Sequence, residues 1–392
     1  MYSNLIIINF NAQIYLNIAK FSKNIFIFNC MNIQKFKVLG VMSGTSLDGI
    51  DCAVVEFSYI NNQWKYVFIE GETIRYPESW VENLQNAIHL SETDLHLLNI
   101  EYTYSLGELL NDFLVTRHLN DIDFIASHGH TVLHQPENRI TLQIGNLPLI
   151  SDIISLPFVC DFRVQDVALG GQGAPLVPIG DRLLFADYDY CLNLGGFSNI
   201  SFEQNKERIA FDICPVNTLL NHFAKKLGKD FDDSGDFAAS GTINKELFNE
   251  LNNLAFYNQQ GPKSLGIEQV NAVYLPLIEK YPLRAQDHLA TITEHIAYQI
   301  ASVLKKGNSK LLVTGGGAFN EHLINRLKFY APNTKVVLGS KELIEFKEAI
   351  IFAFLGVLRI KEINNVLSSV TGASHDHCSG SIFNKELLKT NC

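Results

Sequence analysis

Residues 40–51 read GVMSGTSLDGID and close the apolar run Phe36–Met42. The run has strand length and strand composition. The turn after it carries Gly44, Thr45, Ser46, Leu47, Asp48, Gly49, Ile50 and Asp51. Two glycines let the backbone approach a ligand closely, and successive N–H groups beside two hydroxyls suit an anion. Asp48 and Asp51 could then hold Mg²⁺ beside phosphates, directly or through water. The turn is not a Walker A loop, because no Gly-Lys-Ser or Gly-Lys-Thr follows, and it is not GxGxxG. A hairpin turn capped by Thr, Ser and Asp accounts for the same composition. Cys52–Phe57 reads as the antiparallel return strand and Trp64–Glu70 as its continuation.

Two further glycine turns follow along the chain. Asn193, Leu194, Gly195 and Gly196 precede Phe197-Ser198-Asn199 between strand-like runs. Thr314 leads into Gly315, Gly316 and Gly317, and Asn320 then opens a helical pattern. Three consecutive glycines make a flat backbone surface for a base or ribose, and the helix start behind them suits a phosphate or a ribose hydroxyl. Taken singly each turn is weak. Two on hairpins and one at a strand-to-helix junction, in this order, match the two phosphate segments and the adenosine segment of the actin/hexokinase/Hsp70 class. The expected fold is therefore α/β, a two-lobed actin-like, ribonuclease H-like ATPase with a cleft between the lobes. The lobes are expected over 31–165, with the first phosphate turn, and 166–368, with the second phosphate and adenosine turns. Residues 369–392 show no clear pattern and read as a loosely ordered tail. Residues 1–30 mix Ile, Leu and Phe with Asn, Gln and Lys, and read as a non-native or unstructured leader before Met31. No stretch in it reaches the roughly 18 apolar residues of a membrane span.

Composition narrows the function classes. The 392 residues are 47% hydrophobic and 18% charged, with a formal net charge of −10, which argues against a nucleic-acid binder. The seven cysteines are scattered, with no CxxC pair, and read as reduced thiols of a cytoplasmic protein. His128, His130 and His134 lie close together, as do His375 and His377, without a matching ligand set for a transition metal. No GxSxG elbow points to a serine hydrolase, and Asp232–Asp236 lacks the spacing of a calcium loop.

Between the first two turns lie Asp161-Phe162-Arg163 and GGQGAPLVPIGD at 170–181. A rigid Gly/Pro segment of this kind fixes a binding loop. Asp181 ends it and Arg182 follows, so Asp181 reads equally as a general base or as a helix N-cap. Arg163 reads as a phosphate or sugar contact, or as a partner of Asp161 or Asp166.

Together GVMSGTSLDGID, ASHGHTV (126–132), DFR, GGQGAPLVPIGD, NLGGFSNIS (193–201), GPKSLGIE (261–268), TGGGAFN (314–320) and KEAIIFAFLG (347–356) resemble the anhydro-N-acetylmuramic acid kinase family. The motifs run in the family's order from about residue 37 to 357. The resemblance implies ATP and Mg²⁺ as cofactors, with ATP over Gly44–Asp51 and over the 193–196 and 315–320 turns. It implies a sugar held by His130, Asp161, Arg163, Gln172 and Pro175, a water activated by Asp181, and Mg²⁺ held at Asp48 and Glu348. The implied reaction opens 1,6-anhydro-N-acetylmuramate and phosphorylates its O6, in cytoplasmic recycling of cell-wall amino sugars. A homodimer is a further implication; no nucleic-acid or membrane partner is expected. Two alternatives stay open, a kinase for an ordinary sugar hydroxyl and an actin- or Hsp70-like nucleotide-gated scaffold. The chain departs from the family's FDTGPGN at FDICPVN (211–217), and Asn221 stands where the family has Asp.

Overall fold

The computed structural model describes residues 34–44, 47–259, 262–304, 307–384 and 386. The leader expected over 1–30, and Thr45 and Ser46 of the first turn, lie outside the described residues.

Two sheets carry the fold. The first is built from β1 (Lys35–Ser43), β2 (Ile50–Ile60), β3 (Gln63–Ile74), β4 (Phe124–Gln135), β5 (Ile140–Ile144) and β6 (Phe158–Cys160). Its path runs β3-β2-β1-β4-β6, with β1, β4 and β6 parallel and β2 and β3 antiparallel. The second contains β7 (Tyr190–Leu194), β8 (Phe197–Gln204), β9 (Glu207–Pro215), β10 (Ser309–Thr314) and β11 (Thr334–Leu338). Its path is β9-β8-β7-β10-β11, again with a meander of three strands followed by two parallel ones. The same topology therefore occurs twice, which is the duplicated ribonuclease H-like architecture of actin-like ATPases.

Burial explains why the central strands read as unbroken apolar runs rather than alternating ones. On β1, Leu39 and Val41 pack against Leu95, Leu98, Leu106 and Leu110 of the Glu92–Thr116 helix. Val38 and Met42 face the other way, into a core shared with the Lys341–Ile360 helix. That core also takes Cys191, Ala210 and Leu312 from the second sheet, so the helix lies between the two sheets. Its burial runs from Leu343 to Leu358 almost all round, as a helix packed on both sides requires. Ser340 caps it by accepting from Leu343 N. Gly40 marks the closest crossing: a Cβ there would lie 2.1 Å from the Ala349 carbonyl oxygen. The far face of the second sheet packs Leu192, Leu194, Leu311 and Val313 against the Ala285–Val303 and Glu321–Tyr330 helices.

Two expectations change. The helix at 341–360, assigned by sequence order to the second lobe, makes extensive contact with β1, β2 and β4 of the first sheet. The tail expected to be loose over 369–392 is folded across 369–384. There β12 (Ser381–Phe383) pairs antiparallel with β6, and Val366 forms an isolated bridge to His377. The segment lacks periodicity because side-chain and loop bonds, rather than a long ladder, hold it.

Candidate active site

The parallel strands β1, β4 and β6 all end at one edge of the first sheet, where such folds place ligands. Ser43 ends β1 and its hydroxyl lies 2.8 Å from His130 Nδ1 and 2.7 Å from Tyr76 OH. Burial lowers His130 to about 4, so its ring is neutral at physiological pH. His128 is fixed by its neighbours: its Nδ1 lies 2.9 Å from Gly129 O, and its Nε2 accepts from Arg163 Nε at 2.8 Å. Accepting at Nε2 leaves Nδ1–H to donate to the carbonyl. Arg163 Nη1 donates to Gly173 O at 2.6 Å, joining the DFR segment to the Gly/Pro loop. Burial brings Arg163 down to about 10, with Glu348 and Asp166 acting upward on it.

Asp161 follows β6 at the same edge. It is partly exposed, adopts φ 60°, and burial pushes it up to about 6. A non-glycine residue held in the left-handed region is a recurrent mark of a functional site. Gln172 and Pro175 sit exposed on the loop that Arg163 anchors. His130, Asp161, Arg163 and this loop thus gather at one edge.

Asp51, at the start of β2, lies within electrostatic reach of the Lys341–Ile360 helix. Burial and the carboxylates of Asp48, Glu348 and Glu345 push Asp51 up to about 6, against a 2.6 Å hydrogen bond from Thr73 Oγ1. Desolvation by its neighbours raises Glu348, whose side chain still reaches solvent, while Arg163 and Lys347 pull it down. Glu348 therefore lies within electrostatic reach of both Asp51 and Arg163. Asp48 and Glu348 both act electrostatically on Asp51, and carboxylate oxygens are what a hard cation takes. Among the described residues no group of three or more His, Cys, Asp or Glu is arranged to hold a metal by itself. The donor set fits Mg²⁺ arriving with phosphate oxygens and waters, which needs only one or two protein carboxylates.

The second and third turns pack on one another. Gly315 has φ 79°, and a Cβ there would lie 2.6 Å from Asn193 Oδ1 and 2.8 Å from Leu194 O. Asn217 Nδ2 donates to Leu194 O, and Thr218 N and Oγ1 donate to Gly196 O at 3.2 and 2.9 Å. The departing loop 211–221 therefore still ties the Gly195–Gly196 turn to the Asn217–Lys225 helix. A cavity of about 290 Å³ opens over Gly316 and Gly317, lined also by Asn217, Phe231, Asp232 and Phe319. Asn320 lines it too, while its Oδ1 accepts from Leu323 N as the cap of the next helix. Phe231 and Phe319 were not singled out from the sequence, and Asp232 entered only in a stretch rejected as a calcium loop. Asp232 takes Phe237 N and Ala238 N at 2.8 and 3.0 Å, and that capping pattern was their only local signal.

Asp181 is placed differently from the other carboxylates. It lies in the first turns of the Pro178–Leu184 helix, only 4% exposed. Lys347 Nζ is 2.8 Å from its Oδ1, Ser201 Oγ donates to Oδ2 at 2.5 Å, and Arg208 Nη2 stands 4.0 Å away. It is not a helix N-cap either, since Val177 occupies that position and no side chain caps there. A carboxylate enclosed by an ammonium, a guanidinium and a hydroxyl has little access to water. Of the two carboxylates, Asp161 is the more exposed.

A duplicated ribonuclease H-like fold with glycine turns at both sheets places the chain in the actin-like ATPase class. Comparison with known proteins narrows this. The model of the anhydro-N-acetylmuramic acid kinase family matches residues 36–385. The chain is 34% identical over 390 residues to an anhydro-N-acetylmuramic acid kinase of Haemophilus influenzae, covering 91% of this chain and 100% of that protein. It is 36% identical over 369 residues to one of Pasteurella multocida, covering 89% and 97%. The chain belongs to the anhydro-N-acetylmuramic acid kinase family.

Proposed function

We propose that the protein uses ATP to convert 1,6-anhydro-N-acetylmuramate to N-acetylmuramate 6-phosphate and ADP, with Asp161 rather than Asp181 as the general base. Water attacks the anomeric carbon and gives its proton to Asp161. The C1–O6 bond breaks, O6 bonds to the γ-phosphorus, and the bond from that phosphorus to the β-γ bridging oxygen breaks, releasing ADP. Asp161 carries this reading: a partly exposed carboxylate with a value near 6 is ionised at neutral pH yet close enough to it to accept a proton. Arg163 and the neutral His130 hold the sugar beside it, and Gln172 and Pro175 line its far side. The backbone of Gly44–Asp51 and the Gly195–Gly196 turn take the phosphates, and Gly315–Gly317 take the adenosine. Mg²⁺, when bound through Asp48 and Glu348, neutralises charge on the transferring phosphoryl group. We place the reaction in cytoplasmic recycling of cell-wall amino sugars, by a protein that forms a homodimer. Among the described residues no helix is long and apolar enough to cross a membrane.

The test is ADP release with Mg-ATP, with and without the anhydro sugar, in wild type, Asp161→Asn and Asp181→Asn. Asp161→Asn is expected to lower kcat by about 10²–10⁴, while folded Asp181→Asn stays within about tenfold of wild type, as for a group that touches no reacting atom. Sugar-dependent release that survives Asp161→Asn would overturn the assignment, and release indifferent to the sugar would overturn the substrate.

A further inference from the structure

Behind the sugar-side loop, segments some 200 residues apart in sequence are bonded together. Asp166 is fully buried, and its Oδ2 accepts from Gly173 N at 2.6 Å. Its Oδ1 accepts from Thr371 Oγ1 at 2.7 Å, and His377 Nε2 lies 3.5 Å from the same oxygen. The backbones are tied as well: Gln172 N donates to Thr371 O at 2.8 Å, and Ser374 N to Leu169 O at 3.1 Å. Gly171 leaves no room for a side chain, since a Cβ there would be 2.2 Å from Asp166 Oδ2. Farther along, Ser379 Oγ donates to Phe162 O at 2.7 Å, holding the peptide between Asp161 and Arg163. At its other end Ser369 Oγ donates to Arg208 O of β9 at 2.9 Å. Residues 369–379 therefore form a strap bonded to the 162–173 segment at one end and to β9 of the second sheet at the other.

The loop at 170–175 has no ladder or helix of its own, so its backbone position comes from these bonds. It also supplies Gly173 O, which orients the Arg163 guanidinium. A hydrogen bond from a neutral hydroxyl to a buried carboxylate is among the stronger ones, and losing it leaves the acceptor oxygen short of a partner. We propose that Thr371 and Asp166 are positioning residues: the strap sets the pose of Arg163 and Gln172, and with it the recognition of the sugar, without touching substrate. This rests on the sugar site proposed above.

The test uses the full chain with Thr371→Val, which keeps the shape and removes the donor, and Thr371→Ser, which restores it. Two readouts are taken: KM for the anhydro sugar against KM for ATP, and hydrogen–deuterium exchange over 170–175. Thr371→Val is expected to raise KM for the sugar about tenfold, leave KM for ATP unchanged and speed exchange over 170–175, with Thr371→Ser reversing both effects. Unchanged exchange would overturn the proposal whatever the substrate is. Faster exchange with an unchanged sugar KM, or equal rises in both KM values, would reduce the strap to a stability element and overturn the positioning role. Wild type that ignores the anhydro sugar would refute the substrate reading instead, and exchange alone would then decide the strap.

Discussion

Lys347→Met isolates the physical argument for moving the base away from Asp181. The substitution keeps most of the side-chain stem and removes only the ammonium, which lies 2.8 Å from Asp181 Oδ1. The side chains of the pair are 7% and 5% exposed, so water cannot replace the lost partner. Burial pulls the Lys347 ammonium down, and Asp181 and Cys191 more than offset this, leaving it raised. Arg208 stays 4.0 Å from Oδ2 but is shared with Glu203 Oε1 at 3.5 Å, so it compensates only in part. Breaking one side of a buried pair costs about 3–5 kcal/mol, whereas replacing both partners by apolar groups is often neutral or stabilising. Lys347→Met and Asp181→Leu should therefore each cost about 3 kcal/mol or more, and the double variant clearly less than their sum. Urea unfolding midpoints at unchanged slope measure all three. A cost below about 1 kcal/mol for Lys347→Met would put the pair among exposed surface bridges and refute the reasoning. So would single effects that add within about 0.5 kcal/mol. The folded double variant also speaks to catalysis: a loss of kcat as large as that of Asp161→Asn would return the water-activating role to Asp181.

Gly40→Ala would bring a methyl within 2.1 Å of the Ala349 carbonyl oxygen, a backbone atom that cannot rotate away. The Lys341–Ile360 helix must then shift and carry Glu348 with it, and ADP-release assays should show a loss of about 100-fold in kcat/KM, beyond any fall in melting temperature. Asp161→Asn should be more stable than wild type at pH 8. The fold raises Asp161 from the ordinary 3.8 to about 6, so the folded state favours the proton and wild type loses that stabilisation as pH rises through this window. Melting curves should show the advantage shrinking toward pH 4; an advantage independent of pH would contradict the shift.

The elements that were legible in the sequence are those whose evidence is local. A strand, a glycine turn and the next element lie within about fifteen residues along the chain, as in Phe36–Phe57 and Lys310–Asn320, and their composition reports backbone geometry directly. Their order along the chain was enough to indicate the duplicated fold, and the Gly/Pro composition of GGQGAPLVP indicated a segment without regular structure. The sequence by itself thus determined the architecture and the set of candidate residues.

The tertiary structure alone decided what surrounds each of those residues. Asp161 and Asp181 are the same side chain twenty positions apart, and each follows a plausible motif. Only folding brings Lys347, Arg208 and Ser201 around one of them and leaves the other at the open end of β6. The tail was misread for the same reason, because Thr371, Ser379 and β12 find their partners some 200 residues earlier. A carboxylate's reactivity depends on its solvation and its nearest charges, and in a chain of this length those neighbours are set by packing between distant segments rather than by the residues beside it.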